Sequence, residues 1–101
     1  MKILIFCRQV NHINIVAIYG VVIDVQNDQL CSLALVCELC KGSLEKHIFQ
    51  NRKNVPWETK SAAVLTCQWG IDILDALDYI HGKRIVHRDL KLANVLVSHF
   101  N

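Results

Sequence analysis

The sequence predicts an α+β fold built as one small domain, and three observations carry that reading. Residues 15–23 are rich in β-branched side chains; turn chemistry over 24–29 follows, and then a second apolar run, Leu33-Ala34-Leu35-Val36-Cys37. Between residues 58 and 81 the apolar side chains Leu65, Trp69, Ile73, Leu77 and Ile80 recur at helical spacing. A chain of 101 residues suffices for one small domain and not for two.

Taken in order, residues 1–10 set Lys2, Arg8 and Gln9 among apolar side chains, the polarity pattern of a helix end. The runs at 15–23 and 33–37 are expected to pair as a hairpin, the second strand buried on both sides. Gly42-Ser43 breaks the pattern, and Ser43 suits the N-cap of a short helix reaching about Gln50. Residues 51–56 read as a polar loop, with Pro56 tolerated in the first turn of a long helix over 58–81. That helix carries the apolar stripe above, with Trp69 as a core residue, and a polar stripe of Gln68, Asp72 and Asp75 on another face. Gly82 is its expected stop. Ile85-Val86 and Val95-Leu96-Val97 are short strand-like runs bracketing a polar loop. His12, His47 and His99 have no partner evident in sequence and read as structural or solvated, and His81 as part of the helix end.

Composition narrows the function. With 52% hydrophobic and 20% charged residues the chain is globular rather than disordered. A net charge of +2 comes from scattered basic residues with no aromatic-interleaved stripe, which argues against nucleic acid as a partner. The apolar runs are too short or too interrupted for a signal peptide or a bilayer span. Five cysteines with no regular framework point to a reducing, cytoplasmic setting. Cys37-x-x-Cys40 has the spacing of half a zinc site, but no second pair follows; His47 is a stray third candidate.

The chemistry is concentrated in His87-Arg88-Asp89-Leu90-Lys91-Leu92-Ala93-Asn94. Phosphoryl transfer needs a carboxylate to orient the attacking hydroxyl and take its proton. It also needs oxygen ligands for magnesium and a cation near the transferred phosphate. Asp89, Asn94 and Lys91 supply those three kinds of group within six residues, close enough for one loop to aim all three at one cleft. An ordinary solvated surface loop has no need of this full string.

Residues 87–94 match the H-R-D-L-x-x-x-N loop at every specified position, and so the chain resembles the eukaryotic-type protein kinases. Outer segments follow in the family's order. Residues 12–16 resemble the link from the regulatory helix to the family's fourth strand, and residues 35–39 its fifth strand entering the hinge. Gly42-Ser43-Leu44 is similar to the start of the next helix, and Leu77, Tyr79, Ile80 and His81 to the end of the helix before the catalytic loop. The resemblance implies a partial kinase fold: residues 1–38 from the small lobe, 39–42 as hinge, and 43–101 opening the large lobe. It implies ATP and Mg2+ as cofactors and a protein as substrate. Asp89 would be the base, Lys91 would lie near the transferred phosphate, and Asn94 would ligate magnesium. His87 and Arg88 would be structural and regulatory, Arg88 meeting a phosphorylated activation loop. Cys37 falls at the gatekeeper position, the backbone of Glu38 and Cys40 would meet the adenine edge, and Leu96 would form its apolar floor. Two hinge positions that are cysteine account for Cys37 and Cys40 better than zinc does.

Lys91 is the serine/threonine-type arrangement, and residues 19–24 with the 87–96 string are similar to the dual serine/threonine and tyrosine kinases. The family's Gly-rich loop, its third-strand lysine, the regulatory-helix glutamate and the D-F-G aspartate are not among these residues; Ile3 stands where the glutamate is expected. The chain is therefore expected to be a piece of a kinase domain that is inactive by itself, its hairpin left with open edges and an uncovered apolar face. The alternative is a non-catalytic, pseudokinase-like or truncated interaction module. A small-molecule kinase is disfavoured by Arg88 and Lys91.

Overall fold

Asn27 and Asp28 close the longest piece of sheet. Both have positive φ, 52° and 60°, the backbone of the two-residue turn whose twist matches antiparallel strands, and Asn and Asp tolerate it better than most residues. The computed structural model describes residues 1–5, 9–51 and 59–98. In chain order these form β1 (Lys2–Ile3), β2 (Ile18–Gln26), β3 (Gln29–Cys37), β4 (Gly42–Ser43), α1 (Leu44–Asn51), α2 (Lys60–Gly82), a 3-10 turn (Leu92–Asn94) and β5 (Val95–Val97). The mixture of helix and strand is the one expected of a partial kinase fold.

The hairpin is longer than the two apolar runs suggest. Asp24, Val25, Gln26 and Gln29, expected in a turn, belong to the strands, while residues 15–17 precede β2. β3 is not buried on both sides. Val21, Val22, Ile23, Val25, Leu33 and Leu35 are all exposed, because among the described residues β2 and β3 pair only with each other. The open edges and uncovered apolar faces expected of a hairpin without neighbours are present.

The second sheet holds the core. Its order is β1-β5-β4, both pairings antiparallel, with Lys2 opposite Leu96, Ile3 opposite Val95 and Ser43 opposite Leu96. The helix end expected within residues 1–10 is replaced at Lys2–Ile3 by strand. Met1 and Ile3 are buried and Lys2 is not, the alternation of a strand, and the β-branched Ile3 and Ile5 suit it. Ile3 also forms a parallel bridge to Ile15, donating to the Asn14 carbonyl (2.8 Å) and accepting from Val16 N–H (2.9 Å). Around Ile3 and Ile80, both with no exposed surface, cluster Met1, Ile15, Leu44, Trp69, Ala76, Val95 and Val97.

Both helices begin as their caps dictate. Ser43 Oγ accepts the Lys46 N–H at 3.2 Å, and Thr59 Oγ1 accepts the Ala62 N–H at 3.2 Å. The expected loop beyond Asn51, together with Pro56 and His99, lies outside the described residues. From Lys60 onward α2 buries Ala62, Trp69, Ala76 and Ile80, with Ile73 and Leu77 half-buried; Leu65, expected in the stripe, is exposed. Gly82 ends α2, but Arg84 takes the left-handed position, with φ 61°. Arg84 N–H reaches the His81 carbonyl at 2.9 Å and Ile85 N–H the Ile80 carbonyl at 2.9 Å, a Schellman closure with Ile85 packed on the core. Ile85-Val86 consequently forms no strand, and the chain runs directly into the polar loop.

The polar stripe of α2 docks Met1, His12 and Asn14 near the start of the chain. Asp72, which also accepts Gln68 Nε2 at 3.2 Å, takes the Met1 ammonium at 3.0 Å. Asp75 faces His12 Nε2 at 3.4 Å, and the His12 ring lies 5.0 Å from Tyr79. Trp69 is buried core, as its spacing predicts, and meets His47 edge-on at 6.0 Å. Among the described residues no group of three or more His, Cys, Asp or Glu side chains gathers in a way that could hold a metal ion. No helix there is long and apolar enough to cross a membrane.

Candidate active site

The Schellman closure of α2 delivers the chain to His87, and β5 takes it away after Asn94, so both ends of the loop are fixed. Arg88 sits at φ 70°, a left-handed conformation that costs a non-glycine residue ~1–3 kcal/mol and accompanies the sharp bend there. Across that bend the Asp89 N–H donates to His87 Nδ1 at 3.2 Å. A backbone N–H only donates, so Nδ1 accepts and the ring proton sits on Nε2. Nε2 in turn donates to the Leu4 carbonyl at 2.7 Å.

Asn94 closes the loop from the other end. Its Nδ2 donates to the Asp89 carbonyl at 2.7 Å and to Asp89 Oδ2 at 3.1 Å, and its N–H donates to the Lys91 carbonyl at 2.9 Å. Asp89 Oδ1 faces Lys91 Nζ at 3.7 Å, with the two side chains 69% and 59% exposed. The carboxylate is thus held at one oxygen and faces an exposed cation at the other. Such an exposed pair adds little stability, so its arrangement is explained by what it could face rather than by what it holds together. With Nδ2 spent on Asp89, Asn94 Oδ1 points no donor at its surroundings and is a hard oxygen suited to magnesium.

The residues expected around an adenine are spread over two sheets and the link between them: Leu96 in β5 of the three-stranded sheet, Cys37 at the end of the hairpin, and Glu38 and Cys40 in the link. Leu96 is half-buried on the face opposite Val95 and Val97 and is flanked by Lys2 and Ser43. Cys37 ends β3 and is exposed. Glu38 donates its N–H to the Ala17 carbonyl (2.9 Å), while its carboxylate accepts the Ala17 N–H (2.8 Å) and Lys2 Nζ at both oxygens (2.9 and 3.0 Å). Burial pushes the Glu38 carboxyl up, but the Ala17 N–H and the hydrogen bond and charge of Lys2 outweigh it, holding the group below its ordinary range. The Glu38 carbonyl and the Cys40 N–H make no backbone hydrogen bond among the described residues. Lys41 N–H then bonds the Val97 carbonyl at 2.8 Å, and Gly42, at φ 145°, occupies backbone that side-chain-bearing residues rarely adopt. Beside it a cavity of ≈ 210 Å³ is lined by Lys41, Ser43, Lys46, His47, Gln50 and Val97, and none of the predicted adenine-site residues borders it.

Burial raises the Cys40 thiol, the Glu38 carboxylate adds to this, and Lys2 opposes it. Cys31 and Cys37 are exposed. At pH 8 iodoacetamide is expected to modify Cys31 and Cys37 several-fold faster than Cys40, read by mass spectrometry of peptides; equal rates would contradict this environment.

Comparison with known proteins adds the deciding observation: a model of the protein kinase domain matches residues 3–101, almost the whole chain. The chain belongs to the protein kinase family. It is similar to a putative serine/threonine-protein kinase of Acanthamoeba polyphaga mimivirus, 34% identical over 95 residues, which covers 94% of this chain and 14% of that protein. Serine/threonine-protein kinase polo of Drosophila melanogaster is 33% identical over 92 residues (90% of this chain, 14% of the relative). Mitogen-activated protein kinase kinase kinase 13 of Homo sapiens is 33% identical over 93 residues (91% and 8%). The kinase chain described here therefore spans a small part of the length of the relatives it matches. No solved structure matches it.

The kinase motif was legible because its residues are contiguous. Sequence reading missed the carbonyl of Leu4 as partner of His87 and the ammonium of Lys2 as partner of Glu38. The strand-like alternation of Met1, Lys2 and Ile3 was the available signal for the first; nothing local signals the second.

Proposed function

We propose that the kinase domain to which these residues belong transfers the γ-phosphate of ATP to serine and threonine hydroxyls of proteins, in the cytoplasm. The observation that carries the reading is the Asp89 carboxylate, held by Asn94 at one oxygen and open beside Lys91 at the other. Asp89 orients the acceptor hydroxyl and takes its proton, and Lys91 balances charge on the phosphate as it moves. The Glu38 carbonyl and Cys40 N–H take the adenine edge over Leu96, with Cys37 at its inner end. Asn94 Oδ1 is the oxygen that would hold magnesium, whose charge, when bound, neutralises the phosphates. Arg88, exposed beside the base, is placed to receive a phosphorylated segment. The names of the relatives and Lys91 support serine and threonine; tyrosine is a further acceptor on the dual-specificity resemblance.

A second reading, a non-catalytic interaction module, is favoured for the 101 residues by themselves: they contain no Gly-rich loop or D-F-G, and the hairpin above the hinge is bare. The test separating the two is a chimera in which residues 3–101 replace the matching segment of an active relative. Transfer of γ-labelled phosphate to a mixed protein substrate, followed by phosphoamino-acid analysis, is expected to show phosphoserine and phosphothreonine. A folded, nucleotide-binding chimera that transfers nothing supports the interaction module.

A further inference from the structure

Residues 1–5 touch both halves of the candidate site. Lys2 Nζ lies 2.9 and 3.0 Å from the two oxygens of Glu38, at the hinge, with both side chains about four-fifths buried (19% and 20% exposed). Two residues on, the Leu4 carbonyl accepts His87 Nε2–H at 2.7 Å, and the Leu4 N–H donates to the Asn94 carbonyl at 3.3 Å. Ile3, between them, has no exposed surface and is gripped by Val95 on one side and Ile15 on the other. Ile3 turns its N–H and carbonyl toward residues 14 and 16, so those of the next residue, Leu4, turn the opposite way, toward Asn94 and His87, while the Lys2 side chain leaves the face that Ile3 buries. The Met1 ammonium, on Asp72 of α2, holds the near end.

We propose that residues 1–5 are a positioning strap for the site, in which Lys2 sets the hinge and Leu4 sets the catalytic loop. A disturbance at either end is transmitted to the other through the buried Ile3. The Leu4 carbonyl selects the Nε2–H form of His87, which leaves Nδ1 free to hold the Asp89 N–H; the strap thereby reaches the backbone of the proposed base through one imidazole. The catalytic meaning of the two ends rests on the kinase reading above; the coupling between them does not. Neither Lys2 nor Leu4 touches substrate or nucleotide in this proposal, so both are positioning residues.

The test is nitrogen-15 NMR on the 101-residue chain and two variants. Lys2→Met keeps most of the aliphatic stem and removes the charge; Lys2→Arg restores it. In Lys2→Met the amide resonances of Asp89 and Asn94 are expected to shift together with those of Ala17 and Glu38, and the acid-side fall in stability that Glu38 contributes is expected to shrink, the Ala17 N–H bond being kept. That contribution is complete above the ordinary carboxyl range and is lost as pH falls through the lowered Glu38 value. Lys2→Arg is expected to return the Asp89 and Asn94 signals to wild-type positions. A Lys2→Met variant that shifts only Ala17 and Glu38, leaving Asp89 and Asn94 unmoved, overturns the coupling. Should Lys2→Met fail to fold, Glu38→Gln, which loosens the same pair from its other side, is read in the same way: Asp89 and Asn94 signals that move uphold the coupling, and signals that stay overturn it. No nucleotide enters these readouts. Hinge signals that ignore Mg-ATP in the folded chimera would remove the kinase role of the hinge and leave the strap standing.

Discussion

Asp89→Asn, placed in the chimeric kinase domain, is expected to lower kcat by about 10²–10⁴-fold, the range that a positioned general base contributes. The KM for ATP is expected to change little, because Asp89 does not reach the adenine-binding hinge in this account. An amide cannot take the hydroxyl proton at neutral pH, and the Asn94 Nδ2–H that now donates to Asp89 Oδ2 would face an amide of undefined orientation. The loop itself should persist, because Asn94 keeps its 2.7 Å bond to the residue 89 carbonyl and His87 keeps the residue 89 N–H. Steady-state kinetics with circular dichroism on the same preparations separates lost chemistry from lost fold. A loss below about tenfold would remove Asp89 from the role of base.

Ile3→Ala is expected to destabilise the chain by about 2–4 kcal/mol, the usual cost of deleting a fully buried isoleucine to alanine. Ile3 has no exposed surface and packs where β1, β5, residue 15 and α2 meet, so little can collapse into the space left behind. Val22→Ala in the hairpin, at 56% exposure, is the matched control and is expected to cost less than about 0.5 kcal/mol. Urea unfolding of the three proteins reads the difference as a drop in midpoint at similar slope. Equal midpoints for Ile3→Ala and wild type would show that the N-terminal strand is not built into the core.

The contrast between these two positions marks where sequence was sufficient. Asp89, Lys91 and Asn94 lie within six residues, and a single loop must bring them together whatever the rest of the fold does; the contacts among them follow from that closeness. The Ser43 cap was equally local, bonding an N–H three residues on, whereas the Thr59 cap that starts α2 at Lys60 was not read from the sequence. Ile3 was not legible, because its partners Val95 and Ile80 are more than seventy residues away and a two-residue strand carries almost no periodicity. The exposed faces of β2 and β3 mislead for a related reason. Continuous apolar runs report what a strand is made to be buried against, and among the described residues no third strand or helix supplies it. Gly82 shows a finer limit: it marks the right place for a helix to stop, while the left-handed residue falls at Arg84, where Ile85 packs on the core and its N–H bonds the Ile80 carbonyl.

The central claim is that residues 87–94 form a phosphotransfer loop whose work requires parts these 101 residues do not contain. The most direct test measures γ-phosphate transfer from Mg-ATP by the 101-residue chain and by the chimera, at equal concentration and with one protein substrate. The account predicts transfer by the chimera and none above background by the chain. Turnover by the chain that Asp89→Asn abolishes, or a folded chimera that binds nucleotide and stays silent, would contradict it.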